Sequence, residues 1–295
     1  MISGTMIVNA FLRSEQTDKT YEWLRSSAER HGIDMDFKTN ADYFAMIDTR
    51  DVSALPAKSD FILFWSKDVT LGRALEGKGM RLFNPSKAIE LCDNKALTIE
   101  ALSGKVKMVK TVKLPMTFTG IGYTSLDFAD RLMEILGCPF VIKECLGSYG
   151  GQVYLAKSKE EACSILKKIE GRDAIAQEYV SSSRGRDIRA YVVGGEAVAS
   201  IERRNDSDFR ANIAAGGYAR KVELTNDEKE MAVTAASELG LDFAGVDLLY
   251  GENDEPLLCE VNSNAQFAGL YEATGIDVTD FIFEHIMSTV GEHTK

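Results

Sequence analysis

AlaGlyValAspLeuLeuTyr (244–250), GlyGluAsnAspGluPro (251–256) and LeuLeuCysGluValAsnSerAsn (257–264) read as two strands and the turn between them. Pairing Tyr250 with Leu257 puts Asp247 opposite Glu260. Side chains alternate along a strand, so Asn262 shares the face of Glu260. Val246, Leu248, Tyr250, Leu257, Cys259 and Val261 fall on the other face as core. Three oxygen-bearing side chains thus converge on one side of an apolar ribbon. Two carboxylates set opposite each other repel and are costly on a half-buried sheet, so the pattern calls for a cation. An all-oxygen set without His or Cys suits a hard ion, Mg2+ or Mn2+, completed by phosphate oxygens and water.

Upstream of this hairpin, ArgAspIleArgAlaTyrValVal (186–193) turns at Gly194 and Gly195 into GluAlaValAlaSerIleGluArg (196–203), a second hairpin. Thr225 with Glu228 makes a capping box for a helix ending at Gly240, and a last amphipathic helix covers about 278–289. Further back, 139–145 and 153–156 are strands joined by LeuGlySerTyrGlyGlyGln (146–152), and 174–180 is another strand. Helices are expected near 94–103 and 126–136, the latter capped by Ser125 and stopped by Gly137. Ser158 and Glu161 form a further capping box. At the start, strands at 6–11 and 61–65 flank a helix with Thr17, Tyr21, Leu24 and Ala28 on one face and Gly32 as its stop. This order predicts an α/β (α+β) chain: an open α/β domain at 1–92, a central α+β unit at 93–180, an antiparallel unit at 181–290, and a tail at 291–295.

Composition narrows the function. The 295 residues are 45% hydrophobic and 27% charged, enough for a sizeable core. The net charge of -11 repels phosphate backbones and anionic lipid, so neither nucleic acid nor a membrane is the expected partner. Five unpaired cysteines, no signal peptide and no long apolar run point to the cytoplasm.

Positive charge is gathered locally instead. Lys143 sits inside the apolar strand 139–145 and needs an anion there. The glycine turn begins four residues on, and Gly147, Gly150 and Gly151 let backbone approach a ligand closely. A lysine beside such a turn makes a lid over phosphates, although a glycine turn alone is an ordinary hairpin. No P-loop and no dinucleotide fingerprint are present. Gln177, Glu178, Tyr179 and Val180 end a strand and can offer backbone groups to an adenine edge. Asp187 follows as a candidate acceptor for ribose hydroxyls, with Arg189 on its face. Arg203, Arg204 and Arg210 gather near Asn212 and Gly216–Gly217.

Taken together, these segments resemble the RimK-like branch of the ATP-grasp ligases over about residues 84–290. The pieces that carry the resemblance are AsnProSerLysAlaIle and AspAsnLys (84–95), PheValIleLysGlu with GlySerTyrGlyGly (140–151), GlnGluTyrVal (177–180), GlyArgAspIleArgAlaTyrValVal (185–193), the 201–217 segment with its arginines, and the 244–264 hairpin. The resemblance implies that Lys95 and Lys143 touch ATP phosphates, and that Glu178 and Tyr179 lie at the adenine. It further implies Asp187 at the ribose, Arg210 and Asn212 at the triphosphate, and Asp247, Glu260 and Asn262 on two Mg2+ ions, with Glu260 bridging. The implied chemistry activates a carboxylate as an acyl phosphate, which an amine attacks to give an amide, ADP and phosphate. Arg189 and Arg203 stabilise the transferring phosphoryl, and a closing glycine lid excludes water.

The acid and the amine are a small molecule, a peptide or a protein C-terminus; glutamate is the family-level expectation, and homo-oligomers are common among such proteins. One departure is visible: AsnSerAsnAlaGlnPheAlaGly (262–269) replaces the family's Asn-x-x-Pro-Gly at the loop expected to face the acceptor. A phosphotransferase without amide formation and an ATP-binding regulator without turnover remain the alternatives.

Overall fold

The computed structural model describes residues 2–56, 59–147, 150–213 and 216–292. The chain opens with β1 (Ser3–Val8), α1 (Glu15–Arg30), β2 (Asp34–Thr39), β3 (Ala45–Met46), β4 (Asp51–Val52), β5 (Phe61–Trp65), α2 (Val69–Glu76) and β6 (Leu82–Phe83). Their sheet is parallel, in the order β2-β1-β5-β6, with β3 and β4 as a separate small hairpin. The first strand begins and ends three residues before the expected 6–11, and Phe11 is 82% exposed. Asn9 explains the early end: its side chain accepts hydrogen bonds from the N–H groups of Phe11 (2.8 Å) and Leu12 (3.0 Å), turning the chain. Helix α1 buries Thr17, Tyr21, Leu24 and Ala28 as its spacing requires, behind a Ser14–Thr17 capping box.

Next come α3 (Ser86–Asp93), α4 (Lys95–Leu102), β7 (Thr111–Lys113), α5 (Phe128–Leu136), β8 (Phe140–Glu144), β9 (Val153–Ala156), α6 (Lys159–Lys168) and β10 (Ala174–Glu178). The sheet is antiparallel, ordered β7-β10-β8-β9. The helix expected near 94–103 is preceded by a second one, because Asn94 breaks the run and caps α4. Ser125 is not the cap of α5; its hydroxyl bonds to Asp127 at 2.7 Å instead. Ser158 caps α6, but the box is half-made, since Glu161 reaches back to the N–H of Lys157. Two residues of the glycine turn, Ser148 and Tyr149, lie outside the described residues.

The third part holds β11 (Arg186–Val193), β12 (Glu196–Arg204), β13 (Tyr218–Lys221), α7 (Asn226–Glu238), β14 (Phe243–Tyr250), β15 (Pro256–Asn262), α8 (Ala268–Thr274) and α9 (Val278–Glu292). The order is β13-β12-β11-β14-β15, all antiparallel. Thr225 and Glu228 form the expected capping box. Asp247 does pair with Glu260, yet Tyr250 faces Pro256, and Leu249 faces Leu257. A bulge at Cys259 absorbs the difference. It turns Leu258 into the apolar core in place of Leu257 and leaves Cys259 on the side of Glu260.

The parallel sheet and the large antiparallel sheet share one core. Trp65 stacks on Phe243 with ring centres 5.6 Å apart, while Phe267 meets Trp23 edge-on at 5.3 Å. Ala88 and Cys92 of α3 enter the core on the other face of the antiparallel sheet. That face also carries Glu202, whose side chain is 1% exposed and ringed by Arg186 (2.6 Å), Arg204 (3.0 Å) and Arg220. Burial alone pushes this carboxyl up, but hydrogen bonds from the three guanidiniums outweigh it and hold it at about 2, below the usual 4.5. A depressed folded-state value means the stabilisation is complete above pH 4.5 and lost as pH falls towards 2. Glu202→Gln is therefore expected to lower unfolding free energy at pH 6 by about 3 kcal/mol. Urea denaturation should show that gap narrowing as the pH drops to about 3.

Candidate active site

A cleft of about 630 Å³ opens where the three sheets meet. The parallel sheet presents the carboxyl ends of its strands to it. The chain changes direction between β1 and β5, the place where open parallel sheets form ligand crevices. Asn9, just after β1, and Trp65 and Lys67, ending and following β5, line the cleft, as do Gln16 and Thr17 at the start of α1. None of these was expected at the site from the sequence. The signal was present, however, in two apolar strands that each end on a polar residue.

On the floor, the antiparallel sheet carries a row of charges. Alternation along β11 puts Asp187, Arg189 and Tyr191 on one face. Arg203 on β12 lies directly opposite Asp187, and Asp247 on β14 directly opposite Arg189. Arg189 grips both oxygens of Asp247 at 2.7 Å. Arg203 grips both oxygens of Asp187 at 2.7 Å and also reaches Asp247 at 2.9 Å. Burial pushes the Asp247 carboxyl up, but these two guanidiniums outweigh it and hold it below the usual carboxylate range.

Both oxygens of Asp247, expected at a metal, are met by guanidiniums. Asp187, expected at a ribose, has both oxygens on Arg203.

Glu260 is different. Its carboxylate takes no hydrogen bond or ion pair among the described residues. Lys143, buried in β8, approaches Cys259 Sγ to 3.4 Å. Burial would lower the Lys143 ammonium, yet Cys259, Glu260 and Asp247 raise it above its ordinary value. Asn262 lies on the same face as Glu260, and its Nδ2 is buried without a partner. Among the described residues, no three His, Cys, Asp or Glu side chains gather as a metal site. The available set is two carboxylates and an amide. The unpaired Glu260 carboxylate and the Asn262 amide oxygen suit a hard divalent cation, while the unsatisfied Asn262 Nδ2 calls for an acceptor such as a phosphate oxygen.

Of the sixteen residues expected at the site, all but Lys95 and Gly151 line this cleft. Lys95 Nζ donates to the carbonyl of Gly147 (3.1 Å), and Arg210 Nη1 donates to that of Gly150 (2.5 Å). The two cations thus hold the two ends of the glycine turn. Arg210 is braced by Asp208 at 2.8 Å, and Asn212 lies against Gly150. At the far end, Gln177 is buried and donates to Thr111 at 2.9 Å, while Glu178 accepts from the N–H of Lys110 at 3.0 Å. The carbonyl of Val180 is taken by Ser183, but its N–H carries no hydrogen bond among the described residues. Such a strand end can read a planar heterocycle through its backbone.

The model of the RimK-like ATP-grasp domain matches residues 93–286. A probable alpha-L-glutamate ligase of Enterobacter sp. (strain 638) is 39% identical over 209 residues, covering 70% of this chain and 67% of that protein. The D-alanine–D-alanine ligase of Bacillus anthracis, solved with ATP, superposes with a TM-score of 0.74 at 18% identity, over 99% of this chain and 98% of that one. The ATP-grasp ligase PsnB, solved with a phosphomimetic precursor, Mg and ADP, gives a TM-score of 0.72 at 13% identity, over 98% and 99% of the two chains. The last two are likenesses of fold.

Proposed function

The chain belongs to the RimK-like family of ATP-grasp ligases, and on that premise we propose that it joins a carboxylate to an amine through an acyl phosphate. The observation that carries this is the cleft floor, where guanidiniums, an ammonium and unpaired oxygen donors surround one space. Phosphoryl transfer to a carboxylate calls for positioning and charge neutralisation, which this set provides. Asp247, Glu260 and Asn262 would hold Mg2+. When bound, the ion would neutralise the triphosphate and the developing charge.

A substrate carboxylate oxygen attacks the γ-phosphorus, and ADP leaves with the bonding pair. The amine then attacks the acyl carbon, phosphate leaves, and the nitrogen gives up a proton. Lys143 and Arg210 steady the phosphates, Lys95 holds the glycine turn, and Gly150 and Gly151 bring its backbone close. Asn212 supports that turn from the facing loop. Gln177, Glu178, Tyr179 and Val180 frame the adenine. Arg189 and Arg203 face the transferred group.

Glutamate is the proposed amino-acid substrate, after the name of the Enterobacter relative. The partner is a small molecule, a peptide or a protein C-terminus. Among the described residues no helix is long and apolar enough to cross a membrane, which accords with a proposed cytoplasmic setting. The units 1–92, 93–180 and 181–290 are proposed as the working domains, and a homo-oligomer as the working assembly.

The test is ADP release from Mg2+–ATP across amino acids and short peptides. Release that rises only when an acid and an amine are both present is expected. Release with the acid alone, at the full rate, would instead favour the phosphotransferase reading.

A further inference from the structure

We propose that Asn264 receives the amine of the amino-acid substrate, its side-chain oxygen accepting a hydrogen bond from the nitrogen that attacks the acyl phosphate. This rests on the ligase reading for the identity of that amine.

Asn264 stands in the turn just after β15, two residues beyond Asn262, and lines the cleft. Asn262 would hold the ion on the phosphates, which puts Asn264 at the reacting end of the cleft rather than at the adenine. The turn is pinned on both sides of it. Ser263 is fully buried, and its carbonyl accepts from Asn84 Nδ2 at 3.1 Å. The Gln266 carbonyl accepts from the Tyr191 hydroxyl. Ala265 fits between them because Gly245 has no side chain; a Cβ there would lie 2.5 Å from the Ala265 Cβ. Within this fixed turn, Asn264 Oδ1 is buried and accepts no hydrogen bond. A buried oxygen without a donor is costly, and the cost is recovered where a ligand brings the donor.

The chemistry of the oxygen narrows that ligand. It accepts and does not donate, so a phosphate or carboxylate oxygen is no partner for it. Two other amide oxygens of this wall are taken, Asn9 Oδ1 by the N–H groups of Phe11 and Leu12, and Gln266 Oε1 by Thr20 at 3.0 Å. Among the described residues of 9–67 and 264–270, no Asp or Glu lines the cleft. An amine on this side therefore meets a neutral acceptor. A carboxylate would favour the ammonium form, whereas an amide oxygen orients the nitrogen and lets its proton go. In the step itself, the nitrogen pair forms the C–N bond and the acyl C–O bond breaks with its pair on phosphate. The surplus proton passes from nitrogen to that phosphate, and Asn264 takes none.

L-glutamate and glutarate are the probes, because they share two carboxylates and differ in the amine. Each is titrated calorimetrically onto the Mg2+–ADP complex of wild type, Asn264→Leu and Asn264→Asp. Wild type is expected to favour L-glutamate about tenfold, the size of one charge-assisted hydrogen bond. Asn264→Leu is expected to lose that preference with glutarate binding unchanged. Asn264→Asp, which still offers an acceptor, is expected to keep it.

No preference in wild type, a preference retained in Asn264→Leu, or one lost in Asn264→Asp overturns the proposal. So does weaker Mn2+ binding to the ADP complex of Asn264→Leu, which would give the oxygen to the metal. Should Asn264→Leu not fold, Asn264→Ala reports the same affinity ratio. These are binding measurements, so they stand apart from the ligase reading, which fails only if wild type releases no ADP with any acid and amine.

Discussion

Glu260→Gln is expected to slow ATP turnover about 10³-fold while leaving the melting temperature where it is. The two halves of that expectation have separate causes. The Glu260 carboxylate has no ion pair or hydrogen bond to lose among the described residues, so amidation breaks no structural contact. Its charge acts on Lys143, and it sits opposite Asp247 and on the strand face of Asn262, where a divalent cation would join them to phosphate. Removing one of two carboxylates from a hard-ion site removes much of its affinity. Steady-state ADP release over a Mg2+ series, with Mn2+ binding followed by electron paramagnetic resonance, checks both halves. Wild-type turnover with wild-type Mn2+ affinity would sink the metal assignment.

Arg203→Met is expected to be the most destabilising single change at the site, by about 3–5 kcal/mol in denaturant unfolding. The methionine fills the space but leaves Asp187 buried with neither of its hydrogen bonds, 7% exposed and beside the Asp247 charge. Arg189 still grips Asp247 and cannot serve both acids. Breaking one member of a buried ion pair costs more than removing both, so D187N/R203M should recover most of the loss. A single variant within 1 kcal/mol of wild type would mean that water reaches this pair and relieves it.

The sequence was most informative where the side-chain period is strict. The pairing of Asp247 with Glu260, and the common face of Glu260 and Asn262, follow from alternation alone and hold in the structure. The capping box of Thr225 and Glu228 and the stop at Gly137 are equally local, and both are found. Local cues failed where two polar groups competed for one partner. Ser125 bonds to Asp127 rather than to the helix, and the Glu161 carboxylate accepts from the N–H of Lys157 rather than from that of Ser158.

The expected core also erred by one residue, at Leu257 and Cys259. A bulge shifts the period without altering composition, and nothing in LeuLeuCys distinguishes a bulged strand from a regular one.

By itself, the sequence determined which acids share a strand face, because spacing along a strand or helix is set by backbone geometry, and its motifs carried the resemblance to the RimK-like ATP-grasp family. Only the tertiary structure decided which charges pair. Asp187, Arg189, Arg203 and Asp247 come from three strands, and register together with burial gave Arg203 to Asp187 and Arg189 to Asp247 while leaving Glu260 unpaired. It likewise brought Asn9, Trp65 and Lys67 to a wall of the same cleft from the far end of the chain. Partner choice depends on the cost of burying each charge, and that cost exists only once distant segments have closed over it.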